Sequence, residues 1–325
     1  MTMPSVHRRA LLKAALSLTI AVPAFAPAQD KPVEWVVGYA AGGGSDVVAR
    51  TVAAQMSQSL GRTIVVNNKP GAATNIAAGY VAQSKDLGNV MLTADFATLA
   101  ANPALFSKLP YDAEKDFKPI GLLARFPLFL VVGPNVPAKN LKEFQEWVQS
   151  NPANAHYASA GVGSPHHLAA ELLRERTGLK IQHVAYRGAA PAVQDLLGGQ
   201  VPFGLMDSAS VQQYLSNGKL RAIGVASPRR LSTFPDIPTL AEQGVEGYEA
   251  YAWQGLVVPA ATPAPVAANL AKALQAALAS APVRERFQSL SLEALPGTPE
   301  QMAAYARSER ERWGKVIRTN NVRMD

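Results

Sequence analysis

A glycine-rich loop between an apolar run and a helical pattern is the first stretch whose residue types suggest chemistry. The run Trp35 to Val37 leads into Tyr39-Ala40-Ala41-Gly42-Gly43-Gly44-Ser45-Asp46, and apolar residues then recur every four positions from Val48 to Leu60. A strand-to-helix turn of this kind directs backbone N–H groups and the positive end of the helix dipole at one point. The loop is therefore a candidate anion site.

Three glycine motifs with known chemistry do not fit this loop. A dinucleotide fingerprint needs a third glycine where Val47 stands and an acid after the second strand, where the chain has Asn67-Asn68. A phosphate loop needs a lysine in place of Gly44. A nucleophile elbow needs a glycine in place of Val47. We therefore expect no nucleotide cofactor.

The histidines and cysteines offer no metal or catalytic site. The chain contains no cysteine, which excludes disulfides, zinc thiolates and thiol nucleophiles. His166 and His167 are adjacent, so on a helix their side chains diverge by about 100° and cannot share one ion. His156 and His183 are isolated in the sequence, and we interpret them as packed or surface residues. We expect no metal, no cofactor and no catalytic residue.

Four further loops follow predicted strands. They are Ala94-Asp95-Phe96-Ala97, Ser159 to Ser164, Tyr186 to Ala190, and Met206-Asp207-Ser208. Because ligands of open α/β sheets bind at the carboxyl ends of the strands, the five loops together predict a binding site. Two opposed helix starts could each hold one carboxylate group. A simpler interpretation stays open for each loop: the glycines permit a turn, Ser45, Asp46 or Asp207 caps a helix, and Arg187 is a surface charge.

Apolar runs alternate with helical periodicity along the chain, which predicts an α/β fold with a parallel sheet covered on both faces. Asn140 and Ser164 are predicted helix N-caps, and Gly61 is a predicted helix stop. Phe96 to Phe106 is predicted to form one helix.

The length of the chain predicts two lobes, because it exceeds what one ordinary core supports. Phe117 to Ala124 and Leu128 to Val132 are predicted as two strands, with a first crossing between lobes at Arg125-Phe126-Pro127. Tyr251 to Val258 is the predicted return. The expected division is a first domain of residues 29–124 and 254–325 and a second domain of residues 125–253.

The amino terminus resembles an export signal, predicted to comprise residues 1–28. Arg8-Arg9 precede an apolar run from Ala10 to Ala26, and Ala26-Pro27-Ala28 is a small-x-small cleavage site. The arginine pair leaves both the Sec and the twin-arginine route open. Loss of this segment lowers the formal net charge from +7 to +4, since it carries Arg8, Arg9 and Lys13 and no acid. We expect a periplasmic protein that is not embedded in the membrane. Nucleic-acid binding is not expected, because basic clusters with aromatic residues are absent.

The motifs of this sequence resemble those of the tripartite tricarboxylate transporter receptor family, also called the Bordetella uptake gene family, of exported solute-binding proteins. The landmarks are Tyr39 to Arg50, Asn68 to Ala72, Asn102 to Phe106 with Leu109 to Asp112, Tyr157 to Ser164 with His167-Leu168-Ala169, Tyr186 to Ala192, Asp195 to Val201, Gly218 to Ala222 and Pro235 to Thr239. Their shared order makes the resemblance specific.

The resemblance implies a two-lobed periplasmic binding protein fold of type II, each lobe a mostly parallel sheet flanked by helices. It implies a monomer that closes over a small carboxylate and delivers it to subunits of a membrane transporter of the tripartite tricarboxylate type. Backbone N–H groups, hydroxyls and water would hold the ligand. The implied ligand-binding residues are Tyr39, Ala40, Gly43, Gly44, Asp46, Asp95 and Phe96 in one lobe and Ser159, Gly163, Ser164, His167, Gly188, Ala189 and Asp207 in the other. His167 would orient a loop or a water.

Two segments depart from the family pattern. Ala72-Ala73-Thr74 stand where the family has a Pro-Gly-Ala-Gly-Gly loop, which we expect to bring side chains, one with a hydroxyl, close to the cleft. Ser84 to Asn89 replace a Pro-Asp-Gly-Tyr turn, which we expect to change only a surface turn.

The identity of the ligand stays open at this point. Di- and tricarboxylates, acidic amino acids and aromatic acids all suit a cleft of backbone donors, and Asp46, Asp95 or Asp207 could receive the ammonium of an amino acid. The alternative function is an exported α/β enzyme that acts on a small carboxylic acid, with Asp46, His167 or Asp207 as acid and base.

Overall fold

The computed structural model describes residues 31–324, so the predicted export signal lies outside the described residues. The first part of the chain forms β1 (Val33–Val37), α1 (Gly44–Leu60), β2 (Ile64–Asn68), a 3-10 turn (Ala72–Thr74), α2 (Asn75–Ala82), β3 (Val90–Asp95), a π-helical turn (Ala97–Ala101) and α3 (Asn102–Leu105). These elements confirm the predicted alternation of strands and helices.

The middle of the chain repeats this scheme. It forms β4 (Phe117–Val132), α4 (Leu141–Ser150), a 3-10 turn (Pro152–Asn154), β5 (His156–Ser159), α5 (Pro165–Thr177), β6 (Gln182–Ala185), α6 (Ala189–Leu197), β7 (Phe203–Asp207), α7 (Ser208–Ser216) and β8 (Arg221–Val225). The last part forms β9 (Tyr251–Pro259), α8 (Ala264–Ala279), α9 (Ala281–Ser289), β10 (Glu293–Ala294) and α10 (Pro299–Thr319).

Two sheet regions share the long strand β4. The strands follow the order β2-β1-β3-β9-β4-β7-β5-β6, and β8 and β10 also pair with β4. The pairs at both outer ends, β1 with β2 and β3 and β5 with β6 and β7, are parallel. The pairs that β4 and β9 make at the centre are antiparallel, because these two strands carry the chain between the lobes in opposite directions.

Strand β4 corrects the prediction of two strands with a break. It continues over 16 residues from Phe117 to Val132, and the crossing lies inside it. Pro127 pairs with Tyr251 of β9, whereas Leu128 already pairs with Asp207 of β7. A proline interrupts a strand when its missing N–H is needed in the ladder. Here it stands where one partner strand replaces another, so the strand tolerates it.

The predicted helix from Phe96 to Phe106 is confirmed as a continuous helical segment, but a π-helical turn over Ala97–Ala101 precedes α3. Pro103 is the physical reason, because it has no N–H to donate to the carbonyl of Leu99, four residues earlier. That carbonyl instead accepts a hydrogen bond of 2.9 Å from Arg310 Nε of α10.

Successive side chains of a strand point to opposite faces of the sheet and therefore belong to different hydrophobic cores. In β4, Leu128, Leu130 and Val132 belong to a core that extends under both lobes, whereas Phe129 and Val131 belong to a smaller core on the opposite face of the second lobe. In β1, Trp35 and Val37 point to the corresponding core of the first lobe. This period of two is what a sheet with helices on both faces requires.

The predicted helix ends at Asn140, Ser164 and Gly61 are confirmed. The Asn140 side chain accepts from Glu143 N–H, and the Ser164 side chain accepts from His167 N–H. Gly61 ends α1 with a left-handed backbone. Across residues 31–324, every helix is either too short or too polar to span a bilayer.

Candidate ligand-binding site

The loops of the first lobe are joined by side-chain hydrogen bonds. The Tyr39 hydroxyl donates to Asp95, which links the loop after β1 to the loop after β3. Asn68 Nδ2 donates to the Tyr39 carbonyl at 2.9 Å, and Arg50 donates to Asn68 Oδ1 at 3.0 Å. The end of β2 and the first helix therefore hold the glycine loop in place.

Helix α1 starts at Gly43 without a side-chain cap. The interpretation of Ser45 or Asp46 as its N-cap is wrong. The Ser45 hydroxyl accepts from Gln254 of β9, and Asp46 reaches back to the N–H of Gly42 at 2.9 Å. Among the residues that the structure describes, the N–H groups of Gly43 and Gly44 have no hydrogen-bond acceptor. They remain free at the positive end of the helix dipole.

Asp46 stabilises the start of α1 through hydrogen bonds to Gly42 and Arg50. Both of its carboxylate oxygens accept from Arg50 Nε, one turn later, at 3.0 and 2.9 Å. Burial opposes the ionised form, but the bonds from Arg50 and Gly42 outweigh it and hold the pKa of Asp46 below its ordinary value. Gly42 is the glycine that the turn requires, since its φ is 82°.

Asp95 is the buried anchor of the first lobe. It accepts from the N–H and the hydroxyl of Thr98, both at 2.9 Å, in addition to the Tyr39 hydroxyl. Burial raises the pKa of Asp95 despite these bonds, and burial with the neighbouring Asp95 raises the pKa of Tyr39. The adjacent Phe96 ring packs edge-on against Trp313, with 5.3 Å between ring centroids, and so belongs to the core.

The Ala72–Thr74 segment has a left-handed backbone, a conformation that favours glycine. Ala72, Ala73 and Thr74 have φ values of 46°, 50° and 73°. The Thr74 hydroxyl is buried and lies 2.8 Å from the Thr98 hydroxyl, so it extends the Tyr39–Asp95–Thr98 chain of hydrogen bonds. This departure from the family pattern therefore supports the loop after β3 from inside.

The loops of the second lobe form one hydrogen-bonded group. Gly188 N–H donates to the Ala160 carbonyl at 3.1 Å. Ala160 N–H in turn donates to His166 Nδ1 at 3.3 Å. His166 Nε2 lies 3.1 Å from Asp207 Oδ2 and 3.3 Å from the Asp207 backbone nitrogen. His166 thus joins the loops after β5, β6 and β7, a role that its sequence position did not indicate.

Three helix starts in this lobe differ in their caps. Ser164 caps α5, and Asp207 caps α7 by accepting from Ser210 N–H at 3.0 Å. Burial opposes ionisation of Asp207, but His166 and Ser210 lower its pKa. Helix α6 starts at Gly188 without a side-chain cap, and the described residues provide no acceptor for the N–H groups of Ala189 and Ala190. This second free helix start matches that of α1.

His167 orients a loop, as the sequence predicted. Its Nδ1 accepts from Gly163 N–H at 3.0 Å. The ring stacks on His183, and the Tyr157 ring also lies against His183, with 5.0 Å between centroids, so the interpretation of His183 as a packed residue is confirmed. Burial lowers the pKa of His167 to about 4, with help from Arg174, and burial with His167 lowers the pKa of His183 to about 4.

One pair in this group has the spacing of a nucleophile and its base. Ser159 Oγ lies 2.6 Å from His183 Nε2. However, Ser159 has no exposed surface, and its hydroxyl also bonds to both the N–H and the carbonyl of Gly161. Within residues 31–324, no carboxylate is hydrogen-bonded to His183, so the orienting acid of a triad is missing there. The pair supports the loop after β5.

The two lobes meet at the start of α1. A Cβ placed on Gly44 would lie 3.3 Å from Phe126 Cε1 and 3.7 Å from Ala209 Cβ in the first turn of α7. Gly163 of the second lobe lies directly against Leu105 of α3. The small size of Gly44 thus allows the free start of α1 to approach the second lobe closely.

The predicted ligand-binding residues fall into two groups by exposure. The first group is open to solvent at least in part and consists of Tyr39, Ala40, Gly43, Gly44, Ser164, Gly188 and Ala189. The second group is buried and consists of Asp46, Asp95, Phe96, Ser159, Gly163, His167 and Asp207. The open group contributes mainly backbone, and the polar members of the buried group hold that backbone in position.

Several supporting residues were not predicted from the sequence. Arg50 is spaced four residues after Asp46, a signal that helical pairing rules recognise. His166, His183 and Thr98 carried no comparable signal, because their partners are distant in sequence. Residues 31–324 contain no group of three or more His, Asp or Glu side chains arranged to hold a metal ion.

Solved structures with similar chains are periplasmic binding proteins. The periplasmic binding protein BugD is 35% identical, with a TM-score of 0.84 over 91% of this chain and 99% of that one. Rpa4515 of R. palustris, solved with adipate, is 30% identical, with a TM-score of 0.84 over 89% and 96% of the two chains. MatC of Rhodopseudomonas palustris, with bound malate, is 34% identical, with a TM-score of 0.81 over 88% and 98%.

These similarities agree with the two-lobed, type II α/β architecture described above. The family TctC, described as the tripartite tricarboxylate transporter family receptor, matches residues 48–322. The match begins in α1, after the glycine loop, and extends to the residues that follow α10, so it includes the loops after β3, β5, β6 and β7. The chain belongs to the tripartite tricarboxylate transporter receptor family.

Proposed function

We propose that this protein is a periplasmic receptor that captures a small carboxylate between its lobes and delivers it to a membrane transporter of the tripartite tricarboxylate type. The observation that carries the proposal is the pair of glycine-started helices, α1 and α6, one in each lobe. Each leaves first-turn N–H groups free at a helix end that attracts negative charge. A dicarboxylate has one anionic group for each start.

The capped helices sharpen this assignment. Ser164 and Asp207 each accept from one first-turn N–H of α5 and α7, whereas α1 and α6 have no such side-chain cap. A ligand carboxylate would therefore find its backbone donors at Gly43 and Gly44 on one side and at Ala189 and Ala190 on the other. Two of the similar proteins were solved with a dicarboxylate, Rpa4515 with adipate and MatC with malate, which supports a small carboxylate as the ligand.

The proposal assigns binding rather than catalysis. The similar structures are binding proteins, and the one Ser–His pair found near the loops is buried and committed to loop contacts. We divide the lobes at residues 124/125 and 253/254, because β4 changes its partner from β9 to β7 shortly afterwards, at Leu128, and β9 begins to pair with β3 of the first lobe at Gln254. Binding then shifts the lobes toward a closed state by its contacts to both.

The test is a thermal-shift and calorimetric screen of the mature protein after unfolding and refolding, which strips any bound solute. We expect at least one of succinate, malate, adipate, citrate or an aromatic acid to raise the melting temperature. The absence of any shift with these acids would contradict the proposed ligand class.

A single substitution tests the donors themselves. Ala189→Pro removes one N–H at the first position of α6, where proline is compatible with the helix. The lost bond to a charged group predicts a dissociation constant roughly ten-fold to a hundred-fold larger, from about 1.5–3 kcal/mol. Ala281→Pro, at the first position of α9, is the matched control and should leave binding unchanged. If Ala189→Pro and Ala281→Pro bind the ligand with equal affinity, the start of α6 does not bind the carboxylate.

A further inference from the structure

The five loops contain three acidic residues, one after each of three strands. Asp46 follows β1, Asp95 ends β3, and Asp207 ends β7. An amino-acid ligand carries an ammonium group, which loses its hydration on binding and needs an opposite charge in return. Whether any of these carboxylates is available decides which ligands the site can favour.

Asp46 is already paired with a cation. Both carboxylate oxygens accept from Arg50 Nε, and one also accepts from Gly42 N–H. The Asp46 side chain is 4% exposed, whereas Arg50 is 51% exposed, so the cation covers the acid from the solvent side. An ammonium that approached this pair would meet the guanidinium first.

Asp95 lies behind Tyr39 and is saturated by neutral donors. The Tyr39 hydroxyl takes one oxygen, and Thr98 N–H and hydroxyl take the other. Only 4% of the residue is exposed. A ligand ammonium would have to displace Tyr39 to reach it.

Asp207 is committed to its own lobe. It accepts from Ser210 N–H at 3.0 Å and from the Ser210 hydroxyl at 2.7 Å, and its Oδ2 lies 3.1 Å from His166 Nε2. Release of this carboxylate would uncap α7 and separate the loops that His166 joins.

Three more acids lie on helices that begin at these loops; Glu175 is exposed in the last turn of α5, far from its start, and the other two have partners. Glu171 of α5 accepts from Tyr157 and Arg174. Asp195 of α6 accepts from the Tyr186 hydroxyl at 2.7 Å. Neither offers a free carboxylate to the site.

We infer that the site selects carboxylates that lack an ammonium group, and discriminates against the amino acids of the same length and shape. The inference rests on the proposed function, since it assigns the substrate class of that same site. The free groups at the two helix starts are donors, which suit carboxylate, and the acids that would suit an ammonium are already neutralised or enclosed.

Matched ligand pairs test this inference by calorimetry on the refolded protein at pH 7. The pairs are succinate with L-aspartate, glutarate with L-glutamate, and adipate with L-2-aminoadipate. Within each pair that binds, we expect the acid without the amino group to bind at least ten-fold more tightly. Equal or tighter binding of the amino acid would overturn the inference and leave the proposed receptor function intact. If none of these six acids binds, and malate, citrate and aromatic acids do not bind either, both the inference and the proposed receptor function are overturned.

A substitution connects the selectivity to the ion pair. Arg50→Gln removes the cation from Asp46. The ratio of the affinity for the acid without an amino group to the affinity for the matched amino acid should therefore fall several-fold. Arg174→Gln, which removes the cation from Glu171 on the far part of α5, is the matched control and should leave the ratio unchanged. The ratio is measured within one protein, so a change in its stability does not affect it. An unchanged ratio in Arg50→Gln would contradict the role given to the pairing.

Discussion

The imidazole rings of His167 and His183 stack face to face, with centroids 3.9 Å apart and planes inclined by 7°. Each ring also holds a loop: His167 accepts from Gly163 N–H, and His183 bonds to Ser159. The charged groups nearby are Glu171, whose carboxylate lies 3.9 Å from His167 Nε2, and Arg174, which pairs with Glu171. Two stacked imidazolium rings would repel each other, and burial lowers the pKa of both rings, so both are neutral at pH 7.

This stack predicts acid sensitivity. Burial lowers the pKa of each ring to about 4, so the unfolded chain binds more protons than the folded one between about pH 6.5 and pH 4. The contribution of the two rings to the free energy of unfolding is therefore fully present above about pH 6.5, and it is lost as the pH is lowered toward 4. His167 alone should account for a loss of about 2 kcal/mol at pH 5.

Urea unfolding at pH 7 and pH 5 measures this loss. His183→Gln should reduce the difference in the free energy of unfolding between pH 7 and pH 5, because one of the two titrating rings is gone. His156→Gln, at a half-buried ring outside the stack, should keep it. An unchanged difference in His183→Gln would show that other groups cause the acid sensitivity.

Gly163 should tolerate substitution less well than Gly178, although both have left-handed backbones with φ of 74° and 70°. A Cβ on Gly178 meets no atom, so Gly178→Ala should cost only the backbone strain, about 1 kcal/mol. A Cβ on Gly163 would collide with Leu105 Cδ1. Gly163→Ala should therefore cost at least about 1 kcal/mol more. Equal losses on chemical denaturation would mean that Leu105 moves away freely.

Ala73→Gly should stabilise the protein. Ala73 has φ 50° and ψ 48°, a left-handed conformation that a Cβ disfavours. We expect a gain of about 0.5–1 kcal/mol in the free energy of unfolding, after the greater freedom of glycine in the unfolded chain is subtracted. The same change at Ala54, in the exposed interior of α1, should cost about 1 kcal/mol. A loss at both positions would contradict the strain at Ala73.

Glu309→Ala should destabilise the connection between the last helix and the crossing strand. Glu309 is buried in α10 and accepts from the indole N–H groups of Trp253 in β9 and Trp313, both at 3.0 Å. Burial raises the pKa of Glu309. Loss of the carboxylate leaves two buried donors unpaired, which predicts about 3 kcal/mol of destabilisation.

Denaturation followed by tryptophan fluorescence measures this effect. Glu309→Gln retains an acceptor in the same volume and should lose less. Glu311→Ala, on the exposed face of α10, should change stability by less than about 0.5 kcal/mol. A loss in Glu311→Ala as large as in Glu309→Ala would point to helix propensity instead of the indole bonds.

The sequence predicted the elements better than their connections. The helix starts at Asn140 and Ser164 depend on residues within one turn, so the local pattern was sufficient. The break proposed at Pro127 failed, because the cost of a proline in a strand depends on which neighbour needs its N–H. That neighbour changes from β9 to β7 at this residue, which only the sheet order reveals.

The candidate site divides in the same way. Glycine loops after strands pointed to free N–H groups, and the structure leaves such groups at Gly43 and Ala189. The assignment of Ser45 or Asp46 as the cap of α1 failed, because Gln254, more than two hundred positions away, takes the Ser45 hydroxyl. The stacking partner of His183 was not predicted for a similar reason, since β5 and β6 must pair before its ring meets His167.

The sequence by itself determined the α/β class, the places where helices begin and end, the family, and the glycine loops that follow the strands. These properties follow from local periodicity, caps and motif order. The tertiary structure decided which of those donors stay free, which acids are already paired, and where the two lobes meet. These depend on partners that are distant in the chain, and burial makes each unpaired polar group costly enough that packing must assign it a partner.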